Sequence, residues 1–152
     1  MSRIEKTYTF KGFGFDVLLK NIEILEAHGE EYPNINMNQL KVYTAKELLK
    51  SRERLTGFKL KFLRTFLKLS YQKLADIVDV PASTLKSWED RGKEATGFSV
   101  PQERQFRLFS IESILNMEKQ SLEKQIVMAQ DFDMPTYDTP LDIGDRSFAQ
   151  DA

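Results

Sequence analysis

The chain has 152 residues, a formal net charge of −1, no cysteine and one histidine. This length suits one or two small domains rather than a large enzyme core. Without cysteine the chain has no disulfides and no thiolate zinc site, and one histidine leaves little for any other metal site. No apolar run resembles a signal peptide or reaches the length of a membrane span. We therefore expect a soluble cytoplasmic protein with no cofactor and no membrane partner.

The near-neutral total hides an uneven distribution of charge. Residues 50–93 hold 11 basic and 5 acidic side chains, a net charge of +6, whereas residues 130–152 hold six aspartates and one arginine, a net charge of −5. A basic segment attracts phosphate groups, so we expect any nucleic-acid contact in the middle of the chain. The acidic end is predicted to be an extended or disordered tail. It is either only solvated, or it folds onto a basic partner or competes with DNA for the basic middle of the chain.

The N-terminal part is predicted to contain a small sheet. Residues 1–7 are expected to be a mobile end. Strands are predicted over 16–20 and 22–27, on either side of Asn21, and a third short strand over 31–35. A helix across the first two of these strands is the competing interpretation, because their apolar residues also recur with a helical period.

Two helices are predicted next. Asn36 or Asn38 is expected to cap a helix from residue 38 to 53, and Thr56 a second helix over 57–68. Lysines and arginines separate the apolar residues of the second helix, which gives it a basic surface.

Residues 69–92 predict two short helices joined by a tight turn. Ser70 is a good N-cap for the first helix, whose apolar residues recur at helical spacing. Asp79 tolerates a left-handed backbone, and Pro81 fits the first turn of a new helix. A unit of this kind can place its second helix in the major groove of DNA.

The second helix of this unit, over 82–90, is predicted to bury Leu85 and Trp88 and to turn a small polar face outward. Trp88 is expected to be a core residue rather than a residue that stacks on bases. Hydroxyl groups can bond several bases, methyl groups can contact thymine, and a lysine can reach guanine or phosphate. The first helix is expected to direct its N-terminus at a phosphate. The predicted DNA-binding residues are Gln72, Lys73, Ala82, Ser83, Thr84, Lys86, Ser87 and Arg91.

Other basic residues near this unit are weaker candidates, because most lysines and arginines on helices are only solvated. Glu89 is expected either to accept a hydrogen bond or ion pair from the preceding helices or to be solvated. The further candidates for phosphate contacts are Lys59, Lys61, Arg64, Lys68 and Lys93.

After a loop over 94–100, Pro101 is predicted to begin a long helix. Its broad apolar face either completes the helical core or pairs with a second copy of the chain. Beyond Asn116 the apolar pattern thins. The residues of the broad face are Phe106, Leu108, Phe109, Ile111, Ile114 and Leu115.

The two-helix unit resembles the helix-turn-helix of the Xre/Cro family of DNA-binding proteins. With the residues upstream of it, over roughly 55–110, the chain looks like the MqsA/HigA-like type II antitoxins and related transcriptional regulators. A passage over 8–14, followed by Leu40, is similar to the N-terminal part of some of those relatives. The matching positions are Leu55–Gly57, Phe62–Arg64, Leu69, Gln72, Leu74, Ala75, Val80, Ser83–Leu85, Trp88, Glu89 and Gly92.

The chain departs from the pattern of this family at several points. It lacks the cysteine-ligated zinc domain of the MqsA-type members. Asp79 stands where the family usually has glycine, and the ending Asp90–Gly92 is one residue longer than usual. Ser87 occupies a position where relatives often place an arginine that reads guanine. The resemblance therefore does not supply the target sequence.

The resemblance implies a mainly α fold of the Xre/Cro (lambda-repressor-like) type. The elements predicted along the chain divide it into a β-containing element over 1–36, a DNA-binding domain over 37–115, and a helical extension with an acidic tail over 116–152. The implied function is a transcriptional repressor that binds double-stranded operator DNA as a homodimer and, as an antitoxin, neutralises a cognate toxin. The alternatives are a stand-alone phage or host regulator, or an interaction module that no longer binds DNA.

Enzymatic activity is not expected. The adjacent carboxylates Glu30 and Glu31 have no nucleophile or base beside them in a known arrangement, and the chain contains no phosphate-binding loop or metal-binding motif. His28 is expected to be an ordinary surface residue.

Overall fold

A computed structural model describes residues 2–130. In this part of the chain three β-strands are followed by five α-helices, and 55% of the residues are helical. The fold is therefore mixed, with more regular β-structure than a mainly α prediction implies. The strands are β1 (Ser2–Phe10), β2 (Val17–Ala27) and β3 (Glu30–Pro33). The helices are α1 (Met37–Lys50), α2 (Gly57–Phe66), α3 (Tyr71–Val78), α4 (Ala82–Glu89) and α5 (Val100–Gln130).

The three strands form an antiparallel sheet in the order β1–β2–β3. β2 is one strand rather than the two predicted on either side of Asn21, because its pairing with β1 keeps one register along its length. Asn21 has a φ of 51°. The buried positions change there from Val17 and Leu19 to Ile24, that is, from odd to even numbers. A left-handed residue thus interrupts the alternation of side chains without ending the strand.

The sheet begins earlier in the chain than predicted. The segment predicted to be a mobile end forms most of β1, which pairs with β2 from Ser2 onward, so that prediction is wrong. The competing helix over 16–27 is excluded, since β2 occupies this segment. The turn between β2 and β3 contains His28 and Gly29, with φ angles of 54° and 81°. Two successive positive φ angles suit a tight hairpin turn, and His28 is exposed there as predicted.

Helix α1 packs against the sheet. Asn36 caps it, since its side-chain oxygen accepts hydrogen bonds from two backbone N–H groups of the first turn at 2.8 and 3.3 Å. Leu40 is fully buried in a cluster with Val17 and Leu19 of β2. Capping and the apolar contact together fix where the helix begins and which face it buries. It ends at Lys50, three residues before the predicted end.

One apolar core joins the remaining helices and extends to the sheet side. Phe13 and Phe15, in the connection between β1 and β2, place their rings 4.7 and 5.7 Å from the ring of Phe62 in α2. Aromatic contacts at these separations are favourable beyond the area that they bury. Five of the largest fully buried side chains of this core are Leu60, Leu63, Leu74, Leu85 and Phe106.

Two side chains of α5 hold the segment between α1 and α2. Glu103, which is 6% exposed, accepts hydrogen bonds from the backbone N–H of Leu55 at 2.9 Å and from Arg54 at 3.2 Å. The guanidinium of Arg107 donates to three carbonyl oxygens at the end of α1 and just after it, where a helix leaves acceptors without backbone partners. These acceptors belong to Leu48, Ser51 and Glu53, at 3.0, 3.0 and 2.6 Å.

Helix α5 begins with a reciprocal cap. The backbone N–H of Ser99 donates to the side chain of Gln102 at 3.0 Å, and the N–H of Gln102 donates to the hydroxyl of Ser99 at 3.3 Å. Such a capping box satisfies two donors at the start of a helix. The helix therefore starts at Val100, one residue before its predicted start at Pro101.

The broad apolar face predicted for α5 lies in the core only in part, and the rest of it is exposed. Phe106 and Ile114 are buried in the helical core, and Phe109 is half-buried against it. Leu108, Ile111 and Leu115 are 56%, 38% and 59% exposed. From residue 116 to residue 129 every side chain is exposed, so this half of the helix projects from the body.

Helix α2 begins at its predicted cap but ends earlier than predicted. Thr56 caps α2 as predicted, and its hydroxyl accepts a hydrogen bond from the N–H of Lys59 at 3.3 Å. The helix ends at Phe66 rather than at Lys68.

None of the helices in residues 2–130 is long and apolar enough to cross a membrane. The predicted acidic tail lies outside the described residues.

We predict that Phe106→Ala lowers the free energy of unfolding by about 3–5 kcal/mol, because it removes a fully buried ring and leaves a cavity. The matched control is Met117→Ala on the same helix, whose side chain is 42% exposed. It should change stability by less than about 0.5 kcal/mol. Urea unfolding followed by circular dichroism measures both. Equal losses in the two variants would contradict the assignment of the core.

Candidate nucleic-acid interface

Helices α3 and α4 are joined by only three residues. Ser70 caps α3 as predicted, since its hydroxyl accepts a hydrogen bond from the N–H of Lys73 at 3.1 Å. Asp79 ends α3 in a left-handed conformation, with φ 57° and ψ 48°, and its N–H donates to the carbonyl of Ala75 at 2.9 Å. Pro81 is the N-cap of α4 rather than a residue of its first turn. The left-handed C-cap of α3 and the fixed φ angle of Pro81 at the start of α4 set the direction in which α4 leaves α3.

The underside of α4 is closely packed. Leu85 and Trp88 are 0% and 9% exposed, which confirms the prediction that both are core residues. The indole of Trp88 meets the ring of Phe98 edge-on at 4.9 Å. A Cβ added to Gly97 would lie 2.6 Å from that indole, and one added to Gly57 would lie 2.4 Å from the carbonyl oxygen of Trp88. Both glycines therefore permit a close approach that no larger residue allows.

A buried polar network fixes α4 to α2 and α3. The carboxylate of Glu89 accepts two hydrogen bonds from the guanidinium of Arg64, at 2.6 and 3.2 Å, and one from the hydroxyl of Tyr71 at 2.8 Å. Arg64 also donates to the carbonyl of Leu69 at 3.0 Å and lies 4.0 Å from the ring centroid of Tyr71. The side chains of Glu89 and Arg64 are 2% and 12% exposed. Of the two expectations for Glu89, the ion pair with a preceding helix is the one that the structure contains.

The electrostatics of the network follow from this burial. The hydrogen bond to Glu89 holds the pKa of Arg64 above its ordinary value. Burial, and secondarily the hydrogen bond to Glu89, raises the pKa of Tyr71 above its ordinary value of 10.0. Arg64 is paired and nearly buried, so it is not placed to contact a phosphate group. The prediction that included it among the further phosphate candidates is corrected on this ground.

The outward face of α4 is narrower than the sequence predicted. Ser83, Lys86 and Ser87 are exposed, whereas Ala82 and Thr84 are half-buried. Ala82 packs against the apolar core. Residues three and four apart share one side of a helix, so Ser83, Lys86 and Ser87 form one continuous polar patch. We call these three residues the α4 face.

The three predicted residues outside α4 are all exposed. Gln72 and Lys73 lie in the first turn of α3, where Gln72 donates to Asp76 at 3.1 Å within the same helix. Arg91 lies just after α4 and donates to the carbonyl of Ala95 at 3.1 Å. The structure thus brings Gln72 and Lys73 together at one helix end, while Arg91 is engaged in holding the following loop.

Most of the further basic candidates are available at the surface. Lys61, Lys68 and Lys93 are exposed. The side chain of Lys59 is 20% exposed, and its ammonium lies 3.6 Å from the carboxylate of Glu53. Lys68 has a φ of 57° and lies in the turn between α2 and α3, close in sequence to the N-terminus of α3. A positive charge there adds to the dipole of that helix end.

Sequence reasoning missed one acidic residue beside the α4 face. Asp90 is exposed and follows Ser83 by seven residues and Ser87 by three. This spacing places Asp90 on the same side of the helix as the α4 face. The spacing is the only feature of the sequence that indicates this position. A carboxylate there repels phosphate groups but can accept a hydrogen bond from the amino group of cytosine.

Comparison with known proteins adds no assignment. No protein-family model, no curated protein and no solved structure matches the chain. Within residues 2–130, no group of three or more histidine, cysteine, aspartate or glutamate side chains is arranged to hold a metal ion. The residues of the α3–α4 pair themselves therefore carry the functional inference.

We predict that Arg64→Met lowers the free energy of unfolding by about 3–5 kcal/mol, because it leaves the carboxylate of Glu89 buried without its ion-pair partner. The double variant Arg64→Met with Glu89→Leu should lose much less than the sum of the two single losses, since no buried charge remains. The control is Lys61→Met, an exposed position of the same helix, with a change below about 0.5 kcal/mol. Additive losses measured by urea unfolding would refute the coupling.

We predict that the free energy of unfolding falls as the pH rises above about 10. The folded protein keeps the proton of Tyr71 at a pH where the unfolded chain releases it, because its pKa is raised on folding. Between the two pKa values the folded state binds more protons, so a higher pH favours unfolding. Burial raises the pKa of Tyr43 as well, which adds to the effect with the same sign. Urea unfolding between pH 9 and 11 should show a smaller alkaline loss in Tyr71→Phe than in the natural chain, and an identical loss would count against the network.

Proposed function

We propose that the protein binds double-stranded DNA with α4 in the major groove and represses transcription. The observation that carries this proposal is the division of α4 into a buried underside and an exposed polar face. Leu85, Trp88 and Glu89 are held in the interior, while Ser83, Lys86 and Ser87 face solvent. Small side chains let a helix approach base edges closely, and hydroxyl groups and a lysine can bond them.

The surroundings of the α4 face favour a polyanionic partner. Residues 50–93 carry a net charge of +6, and the first turn of α3 offers backbone N–H groups together with Gln72 and Lys73. A helix N-terminus and adjacent lysines are a common arrangement for a phosphate contact. The N–H of Lys73 is already bonded to Ser70, so Tyr71 and Gln72 supply the N–H groups for a phosphate. Phosphate contacts of this kind position the duplex, and the α4 face then reads the sequence.

A single α4 face spans too few base pairs for useful specificity. Two copies of the chain, with their α4 helices about one turn of DNA apart, would read a two-fold symmetric operator. We therefore propose a homodimer as the binding form.

We further propose that the repressor is the antitoxin of a type II toxin–antitoxin pair, in line with the resemblance to MqsA/HigA-like proteins. The N-terminal sheet exceeds what DNA contact by α3 and α4 needs, so we assign it to a protein partner. Co-expression with the product of a short adjacent gene tests this. Growth arrest by that product alone, and relief by the antitoxin, is the expected result. If no adjacent product is toxic, the protein is a stand-alone regulator.

We predict that the double variant Ser83→Glu with Lys86→Glu weakens binding to the duplex upstream of its own gene by about 100-fold or more, because two carboxylates then face base edges and phosphates. Fluorescence anisotropy with a labelled duplex measures the affinity. Binding by the natural chain should also weaken steeply with salt, as counterions are released from the duplex.

The matched control is Ser121→Glu with Lys124→Glu on the projecting half of α5. It changes the same residue types at the same spacing, and both positions are exposed. The control should bind the duplex as the natural chain does. Unchanged binding by the α4 variant, or equal weakening by both variants, would refute the assignment of α4 as the reading helix. Equal affinity of the natural chain for unrelated duplexes would refute sequence-specific repression.

A further inference from the structure

The projecting half of α5 carries apolar side chains that nothing in residues 2–130 covers. Leu122 and Ile126 are 56% and 49% exposed, and they continue the line of Leu108, Ile111 and Leu115 along the helix. The intervals between these five residues are three, four, seven and four, which keeps them on one side of a helix. We call them the α5 stripe. A helical segment of this length is marginally stable alone in water, so a partner along the stripe would stabilise it.

The order of residues along the stripe is symmetric about the bond between Glu118 and Lys119. Ile111 and Ile126 lie at equal distances from this centre, and so do Leu115 and Leu122. Leu108 has Ala129 as its counterpart. Two such helices aligned antiparallel about a two-fold axis at this centre would therefore place apolar residues beside apolar residues in each layer. Parallel alignment would instead bring Glu118 beside Glu118 and Lys119 beside Lys119.

The body of the protein offers a matching groove beside the stripe. The groove has a volume of about 180 Å³ and is lined by Leu49, Ile111, Ile114 and Leu115, together with two lysines of α1. One of these lysines, Lys46, forms an ion pair with Glu118 at 2.7 Å. In the antiparallel arrangement, Leu122 and Ile126 of one copy would lie at the height of this groove in the other copy. The projecting half of each helix would thus be covered by the body of its partner.

We infer that two copies of this chain pair through α5 in antiparallel orientation, with each projecting half seated along the groove of the other copy. The seam from Leu108 to Ala129 is about 32 Å long at the rise of an α-helix. Its two-fold symmetry makes the contact closed, so it yields a dimer and not a filament. Formation of this dimer does not require DNA. Its failure would leave the assignment of the α4 face intact, and the converse also holds.

The first test is the mass of the full chain in solution. Light scattering during size-exclusion chromatography should give about 35 kDa, twice the chain mass of 17.7 kDa. Leu115→Glu with Leu122→Glu should raise the dissociation constant at least about 100-fold, because unpaired carboxylates would be buried in the seam. Both leucines are exposed in the single chain, so these changes should leave the folding of its body intact when urea unfolding is measured. The projecting half of α5 should lose helicity only to the extent that its partner stabilises it. A monomeric natural chain would overturn the inference.

The control for this variant is Val127→Glu with Met128→Glu. Both side chains are as exposed as the leucines, at 55% and 54%, but they project away from the stripe. The control should remain a dimer. If both double variants remain dimers, or if both become monomers, the seam is wrongly placed.

The second test determines orientation through disulfide formation, which is clean because the natural chain has no cysteine. An equal mixture of Ile111→Cys and Ile126→Cys chains should form a disulfide-linked dimer on mild oxidation. Either variant alone should not, because its two cysteines would be about 22 Å apart along the seam, well beyond disulfide reach. Efficient cross-linking of Ile111→Cys with itself, or none in the mixture, would overturn the antiparallel arrangement.

Discussion

The position of α4 depends on the carboxylate of Glu89. It lies in the interior, where an ionised group is costly unless its hydrogen bonds are satisfied, and Arg64 and Tyr71 together supply three. These donors lie on α2 and at the start of α3. Any rotation of α4 would separate the charge from at least one donor. A buried ion pair of this kind adds little net stability compared with an apolar core, but a shifted arrangement would leave a charge unpaired. It therefore selects one orientation of α4.

This constraint explains how the exposed side of α4 can consist of small residues. The contacts that hold the helix come from its buried side, through Ala82 in the first turn and through Leu85, Trp88 and Glu89. None of Ser83, Lys86 and Ser87 is needed for packing, so these positions are available for a ligand. The segment between α1 and α2 is fixed in a similar way, because Glu103 and Arg107 of α5 bond its backbone. Direct contact with a duplex requires a rigid body whose contacting residues are not needed for its own packing.

The sequence predicted the features that local chemistry determines. The caps Asn36, Thr56 and Ser70 and the left-handed Asp79 are where the residue types indicated, since each depends on hydrogen bonds or backbone preferences within a few residues. The split of β2 at Asn21 was wrong, because pairing between strands maintains a register that the pattern within one strand does not reveal. The buried pair of Arg64 and Glu89 joins residues 25 positions apart. Its two charges look like any surface charges in sequence, so only the fold distinguishes them. Likewise, the fold decides which apolar residues of α5 are buried, so the sequence left open whether they pack in the core or against a second copy. In the structure only one side of the helix packs in the core.

The central claim is that the α4 face contacts DNA, and nuclear magnetic resonance of the full chain during titration with the upstream duplex tests it most directly. The backbone amide signals of Ser83, Lys86 and Ser87, and those of the first turn of α3, should shift or broaden first and most strongly. Signals of the sheet should remain in place. Large changes confined to the sheet or to α5, with α4 unaffected at saturation, would contradict the claim.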